Sequence, residues 1–288
     1  MIEKRCWFLF VVLVVLQGCS ASQIALRLTL PLVDDQLDSL HEEEDPVLAE
    51  RAIPAQMKML EGFLKTDETN VHLLNLLAEG FCGYAFSFVE EKDRVRASAL
   101  YLRGKGYARR ALEKQAGGRH WMDQDLEEFQ ATLERLPRKS IPALFWLGQC
   151  WGRWLVLNLD NVAALADISK VEATLLRVLD MDPAFHHAGP HVALGSFYGS
   201  RTRLLGGKPE RARRHFERSL KLTRNKFLLN QVLYAQTYAV QTQDRELFER
   251  LLNEVLQASS GILPRERLAN EVAKIKAKKL LRSADDLF

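Results

Sequence analysis

The sequence predicts an all-α fold in which helix pairs stack into one compact domain, and three observations predict it. Apolar residues recur at spacings of three and four almost everywhere after residue 45, no strand pair or hairpin signal is convincing, and a two-helix pattern returns along the chain. With 288 residues, of which 47% are hydrophobic and 27% charged, the chain has enough apolar side chains for a sizeable core. Its nine prolines fall mostly near the junctions between apolar-periodic stretches, where helices start and stop.

The first element is a leader. Glu3, Lys4 and Arg5 precede an unbroken apolar run from Cys6 to Leu16. That run is too short to cross about 30 Å of hydrocarbon as a helix rising ~1.5 Å per residue, which gives residues 1–18 the layout of a signal peptide. It ends in Leu16-Gln17-Gly18-Cys19, which resembles the bacterial lipobox, although Gln17 departs from the more usual small residue. Cys19 is therefore the expected lipidation site and the first residue of the mature chain, its thiol taking the diacylglyceryl group. Ser20 follows in place of the aspartate that would favour the inner membrane, so a periplasmic protein on the outer membrane is expected, held by its lipid anchor alone. Loss of residues 1–18 removes one acid and two bases and takes the formal charge from +3 to +2, which names no partner.

Residues 19–33 read as lipidated Cys19 and a tether, and residues 34–288 as a single helical-repeat domain. From Asp34 to Glu50 there are eight acids and no Lys or Arg, the composition of a solvated helix surface or of an acidic docking strip. Asp45-Pro46 reads as an N-cap with proline at the first helical position. In Arg94 to Gln115, the residues Ala97, Leu100, Tyr101, Gly104, Ala108, Ala111 and Leu112 form one stripe of small and apolar groups that lets a neighbouring helix come close.

The helix pairs then repeat. Leu144, Leu147, Gly148 and Trp151 match the first-helix pattern of a tetratricopeptide repeat, and Val171, Leu175, Val178 and Pro183 its second helix after an inserted stretch. His191, Leu194, Gly195 and Tyr198 repeat the first-helix pattern, and Ala212, Phe216 and Ser219 the second. Asn70 to Gln115 and Leu229 to Ala258 are two weaker pairs. Equivalent positions lie roughly 40 to 50 residues apart where the standard repeat has about 34. The expected architecture is therefore degenerate tetratricopeptide-like pairs packed as a compact α-solenoid, not an open superhelix.

Catalytic spacings are missing. There is no GxSxG, HExxH, Walker A or GxGxxG, and Gly206-Gly207-Lys208-Pro209 lacks the Ser or Thr that would follow the lysine to hold magnesium. His186, His187 and His191 are the best metal candidates, since His187 and His191 can share a helix face, but Gly189 and Pro190 interrupt them and His191 falls on a packing position. No enzyme, cofactor or metal is expected. Cys82 and Cys150 sit in apolar helical patterns and read as buried free thiols or as a disulfide with each other.

Two patterns bear on binding. Between Arg201 and Lys226 there are ten Lys or Arg and two Glu, and Arg211, Arg214, Arg218 and Lys221 share one face of a basic amphipathic helix. That face suits solvent, a lipid head group or an acidic protein surface, and a secreted chain seldom meets nucleic acid. Bulky groups on first helices, the side that lines the concave face of such stacks, make Phe81, Tyr84, Phe88, Trp146, Trp151, Trp154 and Tyr198 the cavity candidates.

Several segments together resemble the TatT family, the T components associated with some TRAP transporters. They are Leu77 to Val89, Leu100 to Gly104 with Ala111 to Glu113, the Pro142 to Trp151 helix, Gly206 to Ala212 with His215 to Arg218, Arg267 to Asn270, and the ending through Leu280-Leu281 to Phe288. The resemblance implies a periplasmic lipoprotein of cryptic tetratricopeptide repeats that forms a homotrimer with a central bowl and pore. It implies as partner the solute-binding protein of a TRAP system, with an organic-acid or hydrophobic ligand passed through the pore. A structural scaffold that binds other envelope proteins through its repeats, and handles no small molecule, is the alternative.

Overall fold

The computed structural model describes residues 21–117 and 121–288, so the expected signal peptide and Cys19 lie outside the described residues. Every regular element among the described residues is helical: α1 (Ala21–His41), α2 (Pro46–Leu64), α3 (Val71–Tyr84), α4 (Arg94–Gln115), α5 (Leu126–Arg135), α6 (Ile141–Leu157) and α7 (Val162–Ala166). Then follow α8 (Ile168–Met181), α9 (Phe185–Gly199), α10 (Pro209–Thr223), α11 (Leu229–Leu233), α12 (Arg245–Gln257), α13 (Arg267–Arg282) and α14 (Ala284–Leu287). Two π turns extend helices, Ala85–Val89 after α3 and Tyr234–Ala239 after α11. The stretch expected to be a tether is helical from Ala21, because Leu26 and Val33, seven residues apart on one face, are buried there.

Helix starts follow local chemistry. Asp45 Oδ1 accepts from the amides of Val47 and Leu48, so α2 begins at Pro46 as the sequence indicates. Asn70, Asp93, Asp125 and Asp244 cap α3, α4, α5 and α12 in the same way.

The two strongest repeat matches are real helix pairs with a shared packing device. A Cβ on Gly148 of α6 would fall 2.6 Å from Leu175 Cδ2 of α8, and one on Gly195 of α9 would fall 2.9 Å from the Phe216 ring of α10. The absent side chain is thus what lets each first helix meet its second. The short α7 is the insertion that stretches the repeat. On α4, Ala97, Tyr101, Gly104, Ala108, Ala111 and Leu112 are all buried, against α3 on one side and α6 on the other.

The stack closes on itself through α13, which packs against α11 and α12 and returns to α1 and α2. Buried Lys276 reaches Glu91 at 2.6 Å, Lys279 shares that carboxylate at 2.8 Å, and Arg267 meets Glu44 at 2.8 Å. These links, across more than 180 residues of sequence, hold the last helix to the first pairs and make the stack compact. A second tie runs through the interior, where Arg153 of α6 pairs with Glu90 and the hydroxyl of Tyr101 donates to the same carboxylate. Burial of such a pair is tolerated because each member is hydrogen-bonded.

Candidate functional site

Closure leaves a partly open cavity of about 410 Å³ between α1, α2, α3, α6, α9, α11 and α13. Its wall is mostly apolar: Leu37 and Leu40 from α1, Met57 and Leu60 from α2, Phe145 and Trp146 from α6, Val192 from α9, Leu233 from α11, and Leu268 and Val272 from α13. The π turn after α3 adds Phe86, Ser87 and Phe88 in succession. These three residues belong to a π turn, a local widening of the helix that is frequent at functional sites. The second π turn begins beside Leu233 on the opposite wall.

A polar region of the wall is formed by His41, Glu79, His186 and Glu266, and Gln149 and Arg153 of α6 add polar groups further along it. Glu79 lies 3.9 Å from His41 Nε2, and the neighbouring Trp146 side chain favours its charged form. Its side chain keeps 30% of its area accessible, and that area faces the cavity. Burial therefore pushes the Glu79 carboxyl up, reinforced by Glu266 and opposed by His41. Glu266, by contrast, is held below the usual carboxylate range: burial would raise it, but the hydrogen bond and charge of His187 outweigh that. His186 is pushed down to about 4 by burial, with His187 and His41 adding to the effect. Gln56 contributes a buried side-chain Nε2 with no hydrogen-bond partner among the described residues, and it too lines the cavity. A ligand with an acceptor atom at one end and an apolar body would satisfy that donor and fill the rest.

The polar region rests on an unusual backbone. His186, His187 and Ala188 have φ of 44°, 57° and 61°, three successive non-glycine residues in the left-handed region, before α9 continues right-handed from Gly189. The turn is held from three sides: His187 stacks on Phe227 at 4.5 Å between ring centroids, Asn230 Nδ2 donates to the His187 carbonyl at 3.1 Å, and His187 Nε2 lies 2.8 Å from Glu266 Oε1. A Cβ on Gly189 would fall 2.6 Å from the Phe145 ring, so the chain leaves the turn pressed against the cavity wall. On its other side the same turn lines an outer cleft with Leu222, Thr223, Lys226 and Leu263. His186 belongs to both spaces.

Of the seven aromatic residues expected at a cavity, Tyr84, Phe88 and Trp146 line it. The other four do not. Phe81 stacks on Tyr107 beneath Arg103, Trp151 donates to Asp167 at 2.7 Å under Lys105, and Trp154 is half-buried near the same lysine. Tyr198 donates to Glu172 on the far side of α9. At about 100° per residue, the cavity face of α6 is Trp146, Gln149 and Arg153, and Trp151 points behind it. His187 and His191 do not share a helix face: the left-handed turn separates them, and His191 lies instead 3.0 Å from His215. Among the described residues no group of three His, Cys, Asp or Glu side chains is placed to hold a metal ion. Cys82 and Cys150 are buried and free, and burial beside Cys82 raises the Cys150 thiol. The residues that sequence reading missed are Glu79, Glu266 and Gln56. Glu79 had a signal, being the lone acid in the apolar run Leu73 to Val89 apart from the polar Asn75 and Ser87.

Fold and site together define a helical-repeat protein that carries a mostly apolar cavity with polar groups in its wall. A family model described as TRAP transporter T-component, TAtT, matches residues 42–288, and the chain belongs to that family. It is an accessory component of a TRAP transporter system. No curated protein matches the chain. Among the described residues no helix is long and apolar enough to cross a membrane.

Proposed function

We propose that this chain is a non-enzymatic, periplasmic lipoprotein, anchored through Cys19 to the outer membrane, that binds the solute-binding protein of its TRAP system and passes it a ligand through the cavity. The ligand is an organic acid or a hydrophobic molecule with one polar end, and the working unit is a homotrimer. The observation that carries this reading is the cavity itself: a mostly apolar space with an unpartnered amide donor, whose lining residue His186 also lines a second cleft. A space that shares a wall residue with a second cleft suits transit better than storage. The placement of α1 supports the anchor. It leaves Ile24, Leu28 and Leu32 exposed along one stripe, an apolar face for the leaflet in which the lipid sits.

The test is a pull-down of the full-length protein against the periplasmic fraction of its own organism, with light scattering on the eluate and mass spectrometry of extracted small molecules. Recovery of a solute-binding protein with a trimer mass and a co-purified amphiphile is expected. Recovery of other envelope proteins alone, with an empty cavity, would replace this reading with that of a scaffold.

A further inference from the structure

A second concave site lies away from the cavity and shares no residue with it. Between α8, α9 and α10 a cleft of about 370 Å³ is lined by Arg211, Arg214 and Arg218 from one face of α10, by His215 beside them, by His191 and Tyr198 of α9, and by Leu176. The three arginines are exposed, and among the described residues neither Arg214 nor Arg218 has a carboxylate partner. Arg213, one residue from them but on another face, is paired with Glu217. Glu172 on the facing helix is already engaged: it accepts from the Tyr198 hydroxyl at 2.6 Å and from Lys208 at 2.8 Å. Arg211 and Tyr198 both line the cleft. The cleft therefore gathers positive charge without a counter-charge of its own.

At its floor His191 Nδ1 lies 3.0 Å from His215 Nδ1, and both rings are half-buried. Two imidazoles at that separation hold one proton between them, one nitrogen donating and the other accepting, so both remain neutral. Their surroundings keep them so. Burial lowers His191 to about 4, helped by His215 and Arg218, and burial lowers His215, helped by Arg214 and Arg211.

We propose that this cleft is a binding site for a phosphate-type oxyanion. A carboxylate is saturated by a single guanidinium fork, whereas three forks and a pair of imidazoles match an anion with three or more oxygens and a double charge. The bound anion would also reverse the field at the histidines, so binding takes up a proton and strengthens as pH falls. The groups that set this response are Glu172 from α8, Tyr198 from α9, the three arginines from α10, and Lys208 ahead of it. A free phosphate or phosphate ester and a phospholipid head group offer the same chemistry, and both occur outside the inner membrane.

The experiment follows the imidazole nitrogen resonances of His191 and His215 in the full-length protein during titration with sulfate, whose charge is constant over the range used, and then with inorganic phosphate. A saturable shift at both rings is expected, with affinity rising about tenfold as pH is lowered from about 7.5 to about 5.5. The double substitution Arg214→Gln with Arg218→Gln weakens it at least about tenfold, and Arg213→Gln leaves it unchanged. Because these side chains are exposed, circular dichroism and thermal midpoint stay at the parent values. Phosphatidylglycerol vesicles separate the sources. Vesicle binding that drops in the double variant, with free phosphate silent, assigns the head group, and the converse assigns the free anion. The absence of both a saturable shift with sulfate or phosphate and variant-sensitive vesicle binding, an equal response in the double variant, or a response only to polyglutamate would overturn the proposal, the last in favour of an acidic protein segment.

Discussion

His187 Nε2 lies 2.8 Å from Glu266 Oε1, and this contact fastens the left-handed turn at the start of α9 to the segment that leads into α13. Left-handed backbone at a non-glycine residue costs roughly 1–2 kcal/mol, and a run of three persists only where surrounding contacts over-determine it. The His187–Glu266 hydrogen bond is one such contact, so Glu266→Gln is expected to lower stability by about 1–3 kcal/mol, read from the urea midpoint. The pH dependence has a definite sign. The folded-state pKa of Glu266 is below its ordinary value of 4.5, so its support is complete above that value and is lost as pH falls through the folded pKa. The gap between parent and variant should shrink in acid below about pH 4.5. A gap that widened in acid would mean that the His187 contact is not ionic.

Glu79 should behave in the opposite way. Its carboxyl is raised by burial in the cavity wall, so folding favours its protonated form, and the folded state loses stability as pH rises from the ordinary carboxylate range towards the raised value. Glu79→Gln removes that penalty while keeping the shape. Its thermal midpoint is expected to exceed the parent's at neutral pH and to match it well below about pH 4. A lower midpoint at neutral pH would show that the charged contacts to His41 and Trp146 outweigh desolvation.

The glycine positions make a paired test of the helix stack. Gly148→Ala places a methyl 2.6 Å from Leu175 Cδ2 and forces α6 and α8 apart, so a loss of about 1–3 kcal/mol is expected. Gly62, inside α2, has no heavy atom within 4 Å of the position a Cβ would take. There Gly62→Ala should gain about 0.5–1 kcal/mol from helix propensity alone. Equal effects at the two sites would remove close packing as the reason for Gly148.

That contrast also marks how far the sequence could be read. Gly148 and Gly195, each three residues before an aromatic side chain on a first helix, announced the crossings, and Asp45-Pro46 announced the start of α2 to the residue. The cavity was legible only in part. Trp146 and Trp151 look alike in a helix that is apolar nearly all round, and which of them faces inward is set by the angle at which α6 packs between α4 and α8, a tertiary quantity. The π turn after Tyr84 and the left-handed turn at His186 have no residue signature, since neither requires glycine. Closure by α13 depends on Lys276 and Glu91 meeting across 185 residues, a pairing invisible to any local pattern. For the same reason Glu266, which precedes that helix, could not be placed beside His187.

Gly83 offers the most direct test of passage through the cavity. It lies on α3 where the helix lines the chamber, and a Cβ there meets nothing within 4 Å. The first atom of a larger side chain is therefore accommodated at this cavity-lining position, and replacement of a helical glycine favours the fold by up to about 1 kcal/mol. Gly83→Trp should leave the thermal midpoint unchanged or raised while filling much of the chamber. The control is Gly106→Trp on α4, where a Cβ also meets nothing within 4 Å but the position is outside the cavity. With a fluorescent fatty-acid analogue as probe, binding should be lost in Gly83→Trp and kept in Gly106→Trp, and recovery of the solute-binding protein should be equal for both. Loss of the partner together with the probe would mean that partner binding depends on cavity contents. Probe binding retained in Gly83→Trp would place the ligand outside this chamber and end the argument for transit through it.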